Sequence, residues 1–153
     1  MRSFTLTFVA ALVLVAPAAA AKWWLPTCDL RPLASVTSEG RGHANLELLR
    51  DRNGVELICW TASVRTVQRP FGIFVRRDRT STPDTTVLKI STAANSPAAW
   101  NGSTSVSGCA RVANGVIAAI RQAPTRYYLN VPTPRYPQGE LRTRLRGPAL
   151  VRP

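Results

Sequence analysis

Histidine is almost absent from this 153-residue sequence, and acidic residues are few, with eight against 20 basic ones. Metal sites and nucleophilic catalytic centres commonly use imidazole as a ligand or base. The single histidine, His43, falls on the polar face of an alternating segment, and the chain has no G-x-S-x-G motif. The carboxylates are scattered and form no obvious facing pair. We therefore expect no catalytic residues, no metal and no cofactor, so a non-enzymatic protein is favoured over an extracellular hydrolase.

Long hydrophobic runs are lacking after the N-terminus. Residues 1–21 combine Arg2, an apolar run from Phe4 to Val15 and a small-residue site before Lys22, which is the pattern of a secretory signal peptide. A membrane-spanning helix needs about 20 apolar residues, so we expect no transmembrane anchor. The predicted location is secreted or periplasmic. Residues 22–32 are expected to be an extended segment on the surface or a weak edge strand, residues 33–147 one domain, and residues 148–153 a tail.

Cysteine is also scarce, and the odd number allows at most one internal disulfide. The three cysteines, Cys28, Cys59 and Cys109, would enter an oxidising compartment after export. Loop entropy does not select among the pairs, because each closure stabilises the fold by roughly 4 kcal/mol. We favour Cys59 with Cys109, since both lie in predicted sheet segments and Cys28 lies near a chain end. The remaining thiol could be buried or could join two chains.

Alternating apolar and polar residues predict strands in the first half of the domain. Residues 42–48 and 55–64 flank Asn53 and Gly54, which predict a hairpin turn. The second of these strands is apolar on both faces and suits the middle of a sheet. Residues 71–75 and 87–91 predict two further strands. Residues 92–108 are rich in small and polar residues and are expected to form an exposed loop. A short helical face follows and must end before Pro124; it comprises Val112, Val116, Ile117 and Ile120.

The segment from Arg126 to Arg146 predicts two strands joined by a rigid loop. Residues 127–131 and 141–146 each alternate with a period of two. Between them, Pro132, Pro134 and Pro137 fix φ and remove backbone donors, and Gly139 allows the chain to reverse. Six or seven strands and one short helix in total predict an all-β fold, a small antiparallel β-sandwich or barrel with Greek-key-like connections.

This C-terminal segment resembles the signature of the CHRD (chordin) domain family, approximately YYVNVHT, a short proline loop and GGEIRGQL. The matching residues are Tyr127, Tyr128, Asn130, Val131, Thr133, Tyr136, Pro137, Gly139, Glu140, Leu141, Arg142 and Leu145. The resemblance implies a β-domain over residues 33–147 with an extracellular binding or structural role. The sequence departs from the family at its histidines, since Pro132 replaces the late one and residues 72–75 replace an AHIH motif. A metal site carried over from the family would therefore have no ligands.

Glu140 is the acidic residue inside the signature. It follows Gly139 and lies between arginines in the sequence. We expect its carboxylate to fix the loop through a charge-assisted hydrogen bond rather than to act as a general acid.

Arginine outnumbers lysine by 18 to 2, and the formal net charge is +12. On a strand, Arg142, Arg144 and Arg146 would project from one face about 6.8 Å apart, with Arg135 in the preceding loop. Such a row could bind an anionic partner, such as an acidic polysaccharide, a phosphate polymer or an anionic membrane surface. The alternative is a solvated edge strand whose charges prevent aggregation.

The expected partner is therefore an extracellular protein or an anionic polymer. Nucleic acid is disfavoured, because export removes the usual target and exposed aromatics do not alternate with the basic residues. Asn101, followed by Gly102 and Ser103, forms an N-glycosylation sequon that would matter in a eukaryotic secretory pathway.

Overall fold

The computed structural model describes residues 20–78, 84–92, 102–147 and 149–150. Within these ranges the chain forms nine strands, one α-helix and one 3₁₀ turn. The strands are β1 (Ala21–Pro32), β2 (Arg41–Arg50), β3 (Glu56–Arg65), β4 (Gly72–Arg77), β5 (Thr85–Thr92), β6 (Ser103–Arg111), β7 (Tyr127–Val131), β8 (Leu141–Arg144) and β9 (Ala149–Leu150). The helix α1 spans Val116–Gln122, and the 3₁₀ turn spans Pro124–Arg126.

The strands form one antiparallel sheet that curls into a nearly closed barrel. Its order is β5-β4-β7-β8-β1-β2-β3-β6, and β9 pairs with β1. The end strands β5 and β6 approach each other across the remaining gap. The connections from β3 to β4 and from β6 to β7 join strands that are not neighbours, as in Greek-key folds. The predicted all-β class is confirmed, and the barrel is the form that it takes.

Inward-facing residues of the strands build a single hydrophobic core. Leu46 and Leu48 of β2 and Ile58 of β3 are fully buried and alternate with more exposed neighbours, as expected for a sheet with one face toward the core. The helix α1 adds Ile117 and Ile120 to the same cluster. The predicted short helix is thus confirmed, and it ends at Gln122, before Pro124.

The N-terminal segment is a 12-residue strand with partners on both edges, so the prediction of a surface segment or weak edge strand for residues 22–32 was wrong. β1 pairs with β2 from Ala21 to Leu30 and with β8 at Arg31 and Pro32. The prolines that suggested an irregular segment lie at tolerated positions: Pro26 falls within a register shift, and Pro32 ends the strand. Proline is compatible with a sheet at such positions because its missing donor interrupts no regular ladder bond.

The prediction of an exposed loop over residues 92–108 was wrong for its second half. β6 starts at Ser103 and pairs with β3 at nine consecutive positions. Its small polar residues hide the alternation, and Gly108 leaves room for the Trp60 ring, 3.1 Å from where a Cβ would lie. Thr92 belongs to β5, and residues 93–101 lie outside the described part of the chain.

The predicted disulfide between Cys59 and Cys109 is confirmed, with an S–S distance of 2.01 Å. The two cysteines are direct cross-strand partners on β3 and β6. Because residues 92–108 were predicted to be a loop, this pairing was favoured without knowledge of the register that brings the two cysteines together.

Candidate anion-binding site

The buried carboxylate of Glu140 accepts hydrogen bonds from three separate parts of the chain. Glu140 is 0% exposed. Its Oε1 accepts hydrogen bonds from Ser38 Oγ at 2.7 Å and from the Val67 amide at 3.0 Å. Its Oε2 accepts from Thr133 Oγ1 at 3.1 Å. The hydrogen-bonded role expected for Glu140 is therefore present, although its partners are hydroxyl and amide groups rather than arginines.

The proline loop between β7 and β8 is fixed by further contacts. The Tyr136 hydroxyl donates to the Thr37 carbonyl at 2.6 Å. Gly139 adopts a φ of +131°, a conformation that favours glycine, and lies against the Asn130 side chain. Glu140 N–H donates to the Val131 carbonyl at 2.8 Å. The loop therefore holds β8 and its arginines in a defined position.

The guanidinium of Arg142 is held over the outer face of β7. It lies 4.4 Å from the centroid of the Tyr128 ring, and its Nε donates to Asn130 Oδ1 at 3.2 Å. Its Nη2 donates to the Gln138 carbonyl at 3.1 Å. The contacts explain why Tyr128 and Asn130 are buried although they face outward from the barrel. Arg142 is therefore fixed before any ligand binds.

The Tyr128 hydroxyl makes a hydrogen bond to the carboxylate of Asp84. Burial, together with this hydrogen bond, raises the pKa of Tyr128 to about 12. The phenol is therefore neutral at physiological pH, and the ring beneath Arg142 carries no charge of its own.

Arg144 is also held in place, at the far end of β8. Its Nη1 donates to the Thr125 carbonyl at 2.7 Å, and its Nη2 forms an ion pair with Asp78 Oδ2 at 2.6 Å. Its side chain remains 58% exposed. Arg146 follows two residues later, beyond the end of the strand, and is exposed.

These arginines surround a depression of about 280 Å³ between β1 and β8. The two strands pair at Arg31–Arg142 and Pro32–Leu141, and the depression lies beside this short joint. We call the four arginines around it the arginine seam: Arg31, Arg142, Arg144 and Arg146. The other lining residues are Cys28, Asp29 and Thr143. The three predicted arginines of the C-terminal segment are thus brought together, and Arg31 joins them from the N-terminal strand.

Cys28, the cysteine outside the disulfide, is 3% exposed and lines the arginine seam. Burial raises the pKa of its thiol to about 11, although the nearby Arg146 acts in the opposite direction. The thiol is therefore neutral at physiological pH.

Arg135 does not line the depression, in contrast to the other predicted binding residues. It lies in the proline loop, where its amide donates to Gln68 Oε1 at 2.8 Å and its guanidinium lies 5.5 Å from the Tyr136 ring centroid. Of the other signature residues, Tyr127, Val131 and Leu141 are buried, whereas Pro137 is exposed. Asn101 lies outside the described residues.

Glu56 is a structural residue that the sequence did not reveal. It is 5% exposed, and its Oε2 accepts a hydrogen bond from the Ile117 amide, in the first turn of α1, at 3.0 Å. Its carbonyl accepts from the Val112 amide at 3.0 Å. Glu56 and Ile117 are 61 positions apart, so no local pattern could have indicated the contact.

Comparisons with known proteins yielded no match to a family model, a curated protein or a solved structure. Among the described residues, the single α-helix has seven residues, and no helical segment could span a bilayer. In the same ranges, no three His, Cys, Asp or Glu side chains form a group that could hold a metal ion.

Proposed function

We propose that this protein is a secreted, non-enzymatic β-barrel domain that binds an anionic extracellular partner through the arginine seam. The observation that carries the proposal is that four arginines line one depression, in which Asp29 supplies the only carboxylate among the described lining residues. Guanidinium groups bind carboxylate, sulfate and phosphate through paired donors in a fixed fork.

The fixed conformations of Arg142 and Arg144 support this proposal. Their contacts with backbone carbonyls, Asn130 and Asp78 restrict both side chains before a ligand arrives. A binding site that is ordered in advance loses less conformational entropy on association. Arg31 and Arg146 are exposed and complete the site from the two sides of the depression.

The absence of a catalytic role for Glu140 is part of the same proposal. Its buried carboxylate already accepts three hydrogen bonds, which is the arrangement of a structural anchor rather than of an acid that contacts substrate. Its role as an anchor also fits the CHRD-like signature in which it lies, and membership of that family remains a proposal.

The N-terminal pattern of residues 1–21 and the disulfide between Cys59 and Cys109 support secretion. Expression of the full chain in a secreting host should release a protein whose N-terminus lies near Lys22. Mass spectrometry of the exported protein tests this, and recovery of the intact N-terminus in the cytoplasmic fraction would contradict export.

Chromatography on immobilised heparin tests the arginine seam. Arg31→Ala and Arg146→Ala should each elute at lower salt than the wild type, because each removes one donor group from the depression. Arg52→Ala is the matched control, since it removes the same charge from an exposed residue in the turn between β2 and β3. Circular dichroism should show an unchanged fold in all three. Equal shifts for the control and the seam variants would show that net charge alone governs retention and would reject the site.

A further inference from the structure

Four arginines lie in one row across four adjacent strands. Arg142 of β8 is the direct partner of Arg31 of β1, and Arg41 of β2 is the direct partner of Arg65 of β3. Leu30 pairs with Gly42, so Arg31 and Arg41 are the next residues at this end of β1 and β2. The row therefore continues from β8 to β3, over about 14 Å at the usual strand spacing.

Such a row is unfavourable for the isolated domain. Like charges directly opposite each other on neighbouring strands destabilise a sheet. Arg41 and Arg65 are both exposed, and their side chains contribute nothing to the core. A bound anion that spans the row would replace this repulsion with attraction. The row is thus explained better by a ligand than by packing.

The row lies along three adjoining depressions, which we together call the groove. The arginine seam adjoins a depression of about 490 Å³, because both are lined by Asp29 and Arg31. This second depression shares Arg41 and Glu39 with a third of about 480 Å³, which Arg65 also lines. Among the described residues, the groove contains six arginines against the two carboxylates of Asp29 and Glu39. Its net charge remains positive when the Arg144–Asp78 ion pair is included.

We propose that this groove binds a linear anionic polysaccharide laid across strands β8, β1, β2 and β3, an inference that rests on the proposed function of the arginine seam. A chain with charges repeated along its length matches cations repeated across adjacent strands, whereas a single small anion would occupy the seam alone. Each strand contributes one guanidinium, and the seam holds one end of the ligand.

The composition of the groove favours a polysaccharide over single-stranded nucleic acid. Proteins that bind single strands place aromatic rings where bases can stack. None of the residues that line these depressions in the described part of the chain is aromatic. Charge is therefore the feature that the groove offers along its whole length.

Binding of heparin oligosaccharides of defined length tests the inference. The affinity for a decasaccharide should exceed that for a disaccharide by tenfold or more, because a disaccharide is shorter than the row and only the longer chain can occupy the seam and the row together. The double variant Arg41→Ala/Arg65→Ala should lose about tenfold in affinity for the decasaccharide and keep the affinity for the disaccharide within about twofold. For decasaccharide binding by this variant, the slope of the logarithm of the binding constant against the logarithm of the salt concentration should become shallower by one to two units, about one per arginine.

The matched control is Arg52→Ala/Arg111→Ala, which removes two exposed arginines outside the groove. The control should retain the length dependence of the wild type. Disaccharide binding that depends on Arg146, with no increase in affinity for longer oligosaccharides, would overturn the groove and leave the seam unaffected. Disaccharide binding that is unchanged in Arg31→Ala and Arg146→Ala would instead reject the seam. Tighter binding of a thymidine oligonucleotide of equal charge would overturn the assignment to a polysaccharide.

Discussion

Gly40 lies directly against the buried carboxylate of Glu140. A Cβ at residue 40 would come within 2.6 Å of Glu140 Oε1 and 3.0 Å of the Arg65 carbonyl oxygen. Because neither the backbone of strand β3 nor the buried, hydrogen-bonded carboxylate can easily move away, Gly40→Ala should lower the free energy of unfolding by about 2 kcal/mol. Urea unfolding followed by tryptophan fluorescence measures the loss. Gly147→Ala, where a Cβ meets nothing within 4 Å, should change it by less than about 0.5 kcal/mol. Equal midpoints for the two variants would contradict this account.

Arg65 faces its like-charged partner Arg41 across β2 and β3. Arg65→Gln should therefore raise the free energy of unfolding by about 0.5 kcal/mol at low ionic strength. The gain should disappear near 1 M salt, where the Debye length falls to about 3 Å. Thermal unfolding at both salt concentrations provides the measurement, and Arg52→Gln serves as the control. A variant that is less stable than the wild type at low salt would show that Arg65 has a structural role.

Cys28 should make stability depend on pH in the alkaline range. Burial raises its pKa from the ordinary 9.0 to about 11, so the folded state favours the neutral thiol. The resulting stabilisation is fully present below pH 9 and is lost as the pH rises through 11. Between these values the free energy of unfolding should fall more steeply for the wild type than for Cys28→Ala. Tyr128 titrates in both proteins and cancels in the comparison. Parallel pH profiles would show that Cys28 is not the group responsible.

Glu56 stabilises the start of α1 from a neighbouring strand. Glu56→Ala leaves the buried Ile117 amide without its acceptor, and it should lower the free energy of unfolding by about 1 to 3 kcal/mol. Glu56→Gln retains a side-chain oxygen that can accept the hydrogen bond. Its free energy of unfolding should therefore fall less, since only the charge near the helix N-terminus is removed. Glu39→Ala, at an exposed position, is the control. The order of stabilities from urea unfolding tests this role. A Glu56→Gln variant that loses as much stability as Glu56→Ala would argue against the hydrogen bond.

Local signals in the sequence were sufficient for several elements. Asn53 and Gly54 predicted the hairpin between β2 and β3, and Gly54 has the positive φ of 79° that such a turn requires. The spacing of Ile117 and Ile120 likewise predicted α1. In both cases the information lies within a few residues, where turn chemistry and periodicity apply directly.

Other features depend on contacts between distant segments and could not be predicted in this way. Ser103 to Gly108 has too few apolar residues to show a strand period, and it forms β6 because β3 offers a partner along its whole length. Arg31 was not grouped with Arg142, since only the pairing of β1 with β8 places them side by side. The same holds for Glu140, whose partner Ser38 lies 102 positions away.

The position of β1 between β8 and β2 has a consequence for the order in which the protein folds. β2 can pair with β1, and β3 with β2, as soon as these strands have been synthesised, but the other edge of β1 has no neighbour until the last part of the chain is available. Long-range closure of this kind slows folding. Until β8 arrives, β1 presents unpaired backbone groups that can pair with another chain. A chain that ends before Leu141 should therefore aggregate rather than persist as a smaller folded domain.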